Sequence, residues 1–470
     1  MKPLAQSLKN PKKRWVWMVA LLVSAAPTWA AMLTVTNPAD GGAGSLRALI
    51  ASANSGDTIG FANGMTIRLT SGALVIKKRL IINAIDVGGA AIDGGGLTGA
   101  DMPVFVITNS AIVDFFDLTV TNGANFLGSG VGGGIDVESG SLLLFGCTVS
   151  GNQSAASGGG IFCNTGATLF LENGCTVSGN FAYGEGGGIE VETGSSASIL
   201  NSTVSGNTGQ YGGGIFNGGS LILANSTVSG NNSSNYPGGG IFNAAPGFAA
   251  LTNCTVSGNF AIGEGNGINN QYTMILNNCT ISGNSGGIYG SLANMSGPTA
   301  LMMTNTVIAG NVPSDLDGLY SGVNNLVGGD PKLAPLRNYG GALQTMVPLY
   351  GSPLIDAGTD SVTSFLTTDE RGSPRRSGAH VDIGAAEAQF GSSSNPPLLK
   401  SIVRSGTNFF FFNFANVPNV DFTALMSTNP GAPLSNWTTL GAVLQVSPGS
   451  YQFLDAGATN GAEFYRVVSP

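Results

Sequence analysis

Between Gly132 and Asn311 the chain repeats one alternation of apolar and polar positions seven times. The phrase Thr-Val-Ser-Gly-Asn spans Thr148–Asn152, Thr176–Asn180, Thr203–Asn207, Thr227–Asn231, Thr255–Asn259 and Thr280–Asn284, and ends in a degenerate copy at Val307–Asn311. The closing Asn recurs after 28, 27, 24, 28, 25 and 27 residues. A period in the twenties is the mark of a solenoid. No copy holds a run of helix formers and glycine breaks every copy, which excludes helical repeats. The leucine-rich pattern is also absent. Short strands joined by tight turns remain, with one turn of a parallel β-helix per copy.

A second phrase, Gly-Gly-Gly-Ile, begins at Gly132, Gly158, Gly186, Gly212 and Gly238 and weakens at Gly265 and Gly286. Its isoleucines (Ile135, Ile161, Ile189, Ile215, Ile241, Ile268, Ile288) form a column that should point inward. The next column, Asp136, Phe162, Glu190, Phe216, Phe242, Asn269 and Tyr289, mixes charge with aromatics and should point outward. Val137, Cys163, Val191, Asn217, Asn243 and Asn270 should point in again, since period two marks a strand with one buried face. Parallel strands stack about 4.8 Å apart, so equal residues meet at every step. Asn152, Asn180, Asn207, Asn231, Asn259 and Asn284, with Asn311, should therefore form an amide ladder at a corner, each carboxamide donating to one coil and accepting from the other.

Ahead of the repeats, residues 32–37 read as a first strand and 44–51 as a short amphipathic helix capped by Ser45, placed to cover the open end of the core. About three degenerate coils follow. Beyond them, 320–388 reads as a C-terminal cap, 391–399 as a Gly/Ser/Pro linker and 400–470 as a small β module. The expectation is an all-β solenoid over 31–390, with regular coils over about 118–311, followed by a β-sandwich-like module.

Composition narrows the class. Of 470 residues 73 are Gly, roughly twice the usual share. Only 9% are charged while 42% are hydrophobic, which is not the signature of disorder. A net charge of −8 with no basic footprint argues against nucleic acid. Lys9, Lys12, Lys13 and Arg14 precede an apolar run from Trp15 to Ala26, too short to span a bilayer, and Thr28-Trp29-Ala30 offers a cleavage site. Residues 1–30 therefore read as an export signal, with an uncleaved anchor as the alternative. The five cysteines (Cys147, Cys163, Cys175, Cys254, Cys279) are expected to be free, buried core fillers, because parallel stacked side chains suit a disulfide dihedral poorly.

Ser45-Leu46-Arg47-Ala48-Leu49-Ile50 followed by Gly56-Asp57-Thr58-Ile59 resembles the N-terminal segment of secreted bacterial right-handed β-helix proteins, with Ala48 where those carry Glu. The repeats resemble those of the pectin-lyase-like and polymorphic outer-membrane-protein group. Gly329-Asp330-Pro331-Lys332-Leu333, Asn338-Tyr339-Gly340-Gly341, Gly351 to Gly358, Asp369-Glu370-Arg371-Gly372 and Val381 to Glu387 resemble the choice-of-anchor Q domain, with Ala386 replacing its usual aromatic. These resemblances cover roughly 33–388 and imply a right-handed helix and a secreted, cell-surface or outer-membrane-associated destination. Ser435-Asn436-Trp437 and Phe464-Tyr465-Arg466-Val467 resemble C-terminal modules of exported bacterial repeat proteins.

The candidate chemistry is sparse. Asp136, Glu138, Glu190 and Glu192 read as the outward acids of the regular coils, and no Lys or Arg lies between residues 80 and 331 to serve as a lyase base. Glu185 and Glu264 recur in Gly-Glu-Gly turns. Phe162, Phe216, Phe242, Tyr183, Tyr211 and Tyr236 offer an aromatic stripe suited to sugar rings or a partner surface. Asp369, Glu370, Arg371, Arg375, Arg376, His380, Asp382 and Glu387 should form an ion-paired cap closing the C-terminal end, with a structural Ca²⁺ on Asp382 or Glu387 as the minor alternative. No cofactor and no catalytic residue is assigned. The leading expectation is a non-catalytic exported protein for adhesion or binding of an extracellular polysaccharide or cell-surface component. A carbohydrate-active enzyme and a structural spacer of a surface layer are the alternatives.

Overall fold

The computed structural model describes residues 30–98, 101–127, 130–287, 289–297, 300–389, 399–405, 409–416, 420–447, 449–458 and 463–469. All of the expected leader but Ala30, all of the linker but Leu399, and Ile288 lie outside them.

The chain is an all-β parallel solenoid of about ten turns. Each regular coil contributes one strand to each of four parallel sheets, of 12, 11, 10 and 7 strands. Equivalent residues pair directly: Ile161 with Ile189, Ile189 with Ile215, and Val177 with Val204. All of these side chains are buried in one continuous core. The helix Leu46–Ser52 starts where the Ser45 hydroxyl accepts from the Ala48 N–H, and it lays Leu46 and Ile50 over the N-terminal end of that core. All five cysteines are free and buried.

Two corners set the shape of each coil. At one, a single left-handed residue (Asn201, Asn225, Asn253, Asn278, Asn305, each at φ 47 to 51) turns the chain, a conformation that Asn tolerates. At the other, Gly179, Gly206, Gly230 and Gly258 have φ 62 to 67 and deliver the next residue, Asn, inward. There Asn180 Nδ2 donates to Asn207 Oδ1 at 2.9 Å and to the Val149 carbonyl at 3.0 Å, while its own Oδ1 accepts from the Asn152 N–H at 3.0 Å and Nδ2 at 2.9 Å. The same set repeats through Asn231, Asn259 and Asn284 and closes on Asp315 through Asn311. A second inward ladder links Asn217, Asn243, Asn270 and Asn294.

The segment expected to close the C-terminal end does something else. Residues 330–389 run back along the flank of the solenoid as a strap over the Thr-Val-Ser sheet. Thr227, Thr255 and Thr280 are buried under it, whereas Thr148, Thr176 and Thr203, in the same column, remain partly exposed. Val307, Ala309, Leu354 and Ile383 form the apolar seam. The last coil stays open, and its Val327, paired with Ile308, is 36% exposed. The expected cap fails as an end cap because its carboxylates and apolar side chains find their partners sideways, on a column of hydroxyls and on Val307.

The charged residues of the strap do pair, internally. Arg375 donates to Glu387 at 2.8 Å and Arg371 bridges Asp369 and Asp421 of the C-terminal module. Arg376 and His380 both face Asp360. Glu370 points into the solenoid flank and accepts from the hydroxyls of Thr227, Thr255 and Thr345. Burial, helped by Asp369, pushes its carboxyl from the usual 4.5 to about 8 against the lowering pull of those hydroxyls. The module itself packs a four-stranded and a three-stranded antiparallel sheet around Phe412, Phe414, Phe422, Ala424 and Tyr451.

Two measurements check this account. Asn207→Ala strands the Asn180 amide and the Val177 carbonyl and should lower the unfolding free energy by about 2–3 kcal/mol in urea titration, while Ser205→Ala on the outer face changes it by no more than about 0.5 kcal/mol. For Glu370 the folded state keeps the proton, so its contribution is complete below pH 4.5 and is lost as pH rises towards about 8. Glu370→Gln should flatten the fall in stability across that window, where a single proton amounts to about 1.4 kcal/mol per pH unit.

Candidate functional site

The site is built by the turn ahead of each Gly-Gly-Gly-Ile strand. The residues preceding the glycines, Ser157, Glu185, Tyr211, Pro237 and Glu264, lie one rung apart, because the Gly158, Gly186, Gly212 and Gly238 N–H groups donate to the carbonyls of Glu185, Tyr211, Pro237 and Glu264 in the next coil. The first glycine of each run presses on the strand that follows. A Cβ on Gly158 would lie 2.8 Å from the Phe162 Cβ, on Gly186 2.9 Å from the Glu190 Cβ, and on Gly238 2.7 Å from the Phe242 Cβ. Only glycine permits that approach, and it folds the turn down over the column expected to face water.

The expected exposed stripe is therefore only partly exposed. Asp136 (4% exposed), Phe162, Glu190 (1%) and Phe242 are buried, and Phe216 is half-buried. Their side chains do point away from the solenoid core, as period two requires, but the glycine turns roof them over. Tyr183 (56%) and Tyr236 (43%) stand in solvent, and Tyr211 is intermediate.

This burial creates the chemistry. Glu190 lies under the turn with the Ser157 hydroxyl and the Glu185 carboxyl within hydrogen-bonding reach. Burial holds its carboxyl well above the usual carboxylate range, opposed by the Ser157 hydroxyl and reinforced by the neighbouring charges of Glu185 and Glu192. Glu185 is also raised, by burial and then Glu192, while its bond to Glu190 lowers it. Of the two acids, Glu190 is the more strongly raised. Two rungs away, burial and then Glu138 push Asp136 up to about 7. One oxygen of Asp136 (Oδ1) and one of Glu190 (Oε2) have no hydrogen-bond partner among the described residues.

The rings gather beside these acids. Tyr211 stacks on Tyr236 with centroids 4.2 Å apart and planes at 7°, and meets the Phe242 edge at 5.5 Å. Phe216 and Phe242 stack at 5.3 Å. Tyr183 is braced by Phe181 at 4.8 Å and Phe126 at 6.0 Å, neither of which was singled out from the sequence. The Glu185–Glu190 pair was missed as well. Its signal is the constant offset of five residues between turn and strand positions, the same that separates Tyr211 from Phe216. The six ladder asparagines lie at a different corner and take no part.

Among the described residues no group of three or more His, Cys, Asp or Glu could hold a metal ion. The Ca²⁺ considered on Asp382 or Glu387 has no donor set. The Asp382 oxygens accept from the Asp356 and Ala388 N–H groups, and those of Glu387 from Arg375, the Asp382 N–H and the Ser377 N–H.

A family model described as "Right handed beta helix region" matches residues 133–307. No curated protein matches the sequence. Among solved structures, the pectate lyase Pel9A aligns with a TM-score of 0.51 at 17% identity, over 78% of this chain and 98% of that one. The tailspike protein gp49 of the Acinetobacter baumannii bacteriophage Fri1, a capsular polysaccharide depolymerase, aligns with a TM-score of 0.31 at 12% identity, over 87% and 85%. The chain thus folds as a right-handed parallel β-helix, a fold it shares with that pectate lyase.

Glu190→Gln supplies the check on the buried pair. Because the folded state holds the Glu190 proton, the wild type loses stability as pH rises above the ordinary glutamate value of 4.5. Gln carries no such proton, so the variant should match wild type in urea unfolding at pH 4 and exceed it at pH 8. Equal midpoints at both values would show that the carboxyl is not buried with its proton.

Proposed function

We propose that this chain is an exported β-helix surface protein that binds an extracellular polysaccharide along the face carrying Tyr183, Tyr211 and Tyr236, without cleaving it. The observation that carries the reading is the set of tyrosines from three successive coils, two of them open to solvent and each buttressed by another ring. Braced rings at rung spacing are suited to sugar faces at little entropic cost. The leader read over 1–30 and the resemblance of 329–388 to the choice-of-anchor Q domain support export and retention at the surface. Among the described residues no helix is long and apolar enough to cross a membrane.

Pectate lyase chemistry does not transfer with the fold. Proton abstraction next to a uronate needs a base and charge neutralisation, and residues 80–331 contain no Lys or Arg. A second reading, hydrolysis of a glycosidic bond, is favoured by one feature, the neighbouring acids Glu185 and Glu190, both raised by burial. Glu190 is buried under the Gly186 turn at 1% exposure, which leaves a sugar no access to its carboxyl.

The test is a panel of soluble polysaccharides in affinity electrophoresis, run beside a reducing-sugar assay. Binding without sugar release is expected, and the Tyr183→Ala/Tyr236→Ala protein should bind roughly tenfold more weakly. Sugar release abolished by Glu190→Gln would falsify the non-catalytic reading in favour of hydrolysis.

A further inference from the structure

The charge of the coils narrows the ligand. Every formal charge between Arg79 and Lys332 is negative. Five of these acids, Asp136 and Glu138 in one coil and Glu185, Glu190 and Glu192 in another two rungs away, lie beside the exposed tyrosines. Glu185 and Tyr211 are register partners in adjacent rungs, which brings a carboxylate and a phenol to neighbouring positions of one turn column. A carboxylate next to an aromatic face is the pairing that holds an ammonium group, by a charge-assisted hydrogen bond on one side and the ring quadrupole on the other. Glu185 and Glu192 are half-buried and within reach of a ligand, whereas the carboxyls of Asp136 and Glu190 lie closed beneath the glycine turns. An ammonium brings three donors and no acceptor. A uronate brings only further negative charge into a face with nothing to neutralise it.

Resting on the glycan-binding reading above, we infer that the polysaccharide bound at Glu185, Tyr211 and Tyr183 carries free amino groups, as a glucosamine-type polymer does, and not carboxylates. The sugar faces lie on the tyrosines while an ammonium reaches the carboxylates of Glu185 and Glu192. The ligand class is then opposite in charge to pectate.

Three hexamers test this by isothermal titration on the full chain: glucosamine, N-acetylglucosamine and galacturonate. At roughly 0.01 M salt the glucosamine hexamer should bind at least about tenfold more tightly than its N-acetylated counterpart, and the galacturonate hexamer should not bind. The tenfold margin should shrink at roughly 0.5 M salt. Glu185→Gln should remove most of it, whereas Glu172→Gln, an acid on the neighbouring sheet, should leave it in place. Equal affinities for the amine and its N-acetylated form, or tightest binding of galacturonate, would overturn the inference while leaving a glycan-binding protein. An equal loss in Glu172→Gln and Glu185→Gln would also overturn it, by reducing the preference to bulk charge. If none of the three binds, this inference is overturned, and the polysaccharide panel decides whether the glycan-binding reading stands.

Discussion

The governing constraint is rung-on-rung register. Parallel strands about 4.8 Å apart bring each residue onto its counterpart in the next coil, so a side chain must tolerate a copy of itself as its nearest neighbour. Isoleucine and valine do so by apolar contact. Asparagine does so only because its carboxamide is both donor and acceptor, and each ladder amide also takes the Val carbonyl that the corner leaves unpaired. A charged residue cannot stack in this way without repulsion, which accounts for a solenoid with so few charges. Length variation between copies is confined to the turns, since a one-residue slip within a strand would exchange inside for outside.

The same register offers the strap its binding surface. A column of threonine hydroxyls runs the length of the Thr-Val-Ser sheet, and 330–389 covers three members of it. Glu370 enters there, its hydroxyl partners supplied by two coils and by the strap's own Thr345. Arg371, reaching Asp421, ties the strap onward to the C-terminal module. The three parts are thus joined on a flank by polar contacts and apolar seams, and the last coil of the stack is left open.

On the opposite logic, the glycine turns make the site. Because Gly158, Gly186 and Gly238 allow backbone to press on the next strand, the column that should face solvent is roofed, and burial raises its acids above the usual carboxylate range. The tyrosines belong to the turns themselves and remain outside, Tyr211 stacked on Tyr236 and Tyr183 edge-on to Phe181. Buried carboxyls and exposed rings are two outcomes of one turn geometry, separated by whether the residue lies on the strand beneath the turn or in the turn itself.

Period and residue type in the sequence were sufficient for everything that repeats. The Ile and Val columns, the Asn ladder, the free cysteines of the core and the Ser45-capped helix all follow from local propensity or from a neighbour of the same kind. What the sequence left undecided depends on unlike partners distant along the chain. Whether Glu190 lies in water or under Gly186 is decided by the path of a turn, and whether Glu370 closes an end or grips a flank is decided by threonines more than a hundred residues earlier in the chain. Hydrophobic periodicity records which way a side chain points, and only tertiary packing decides what then comes to lie on top of it.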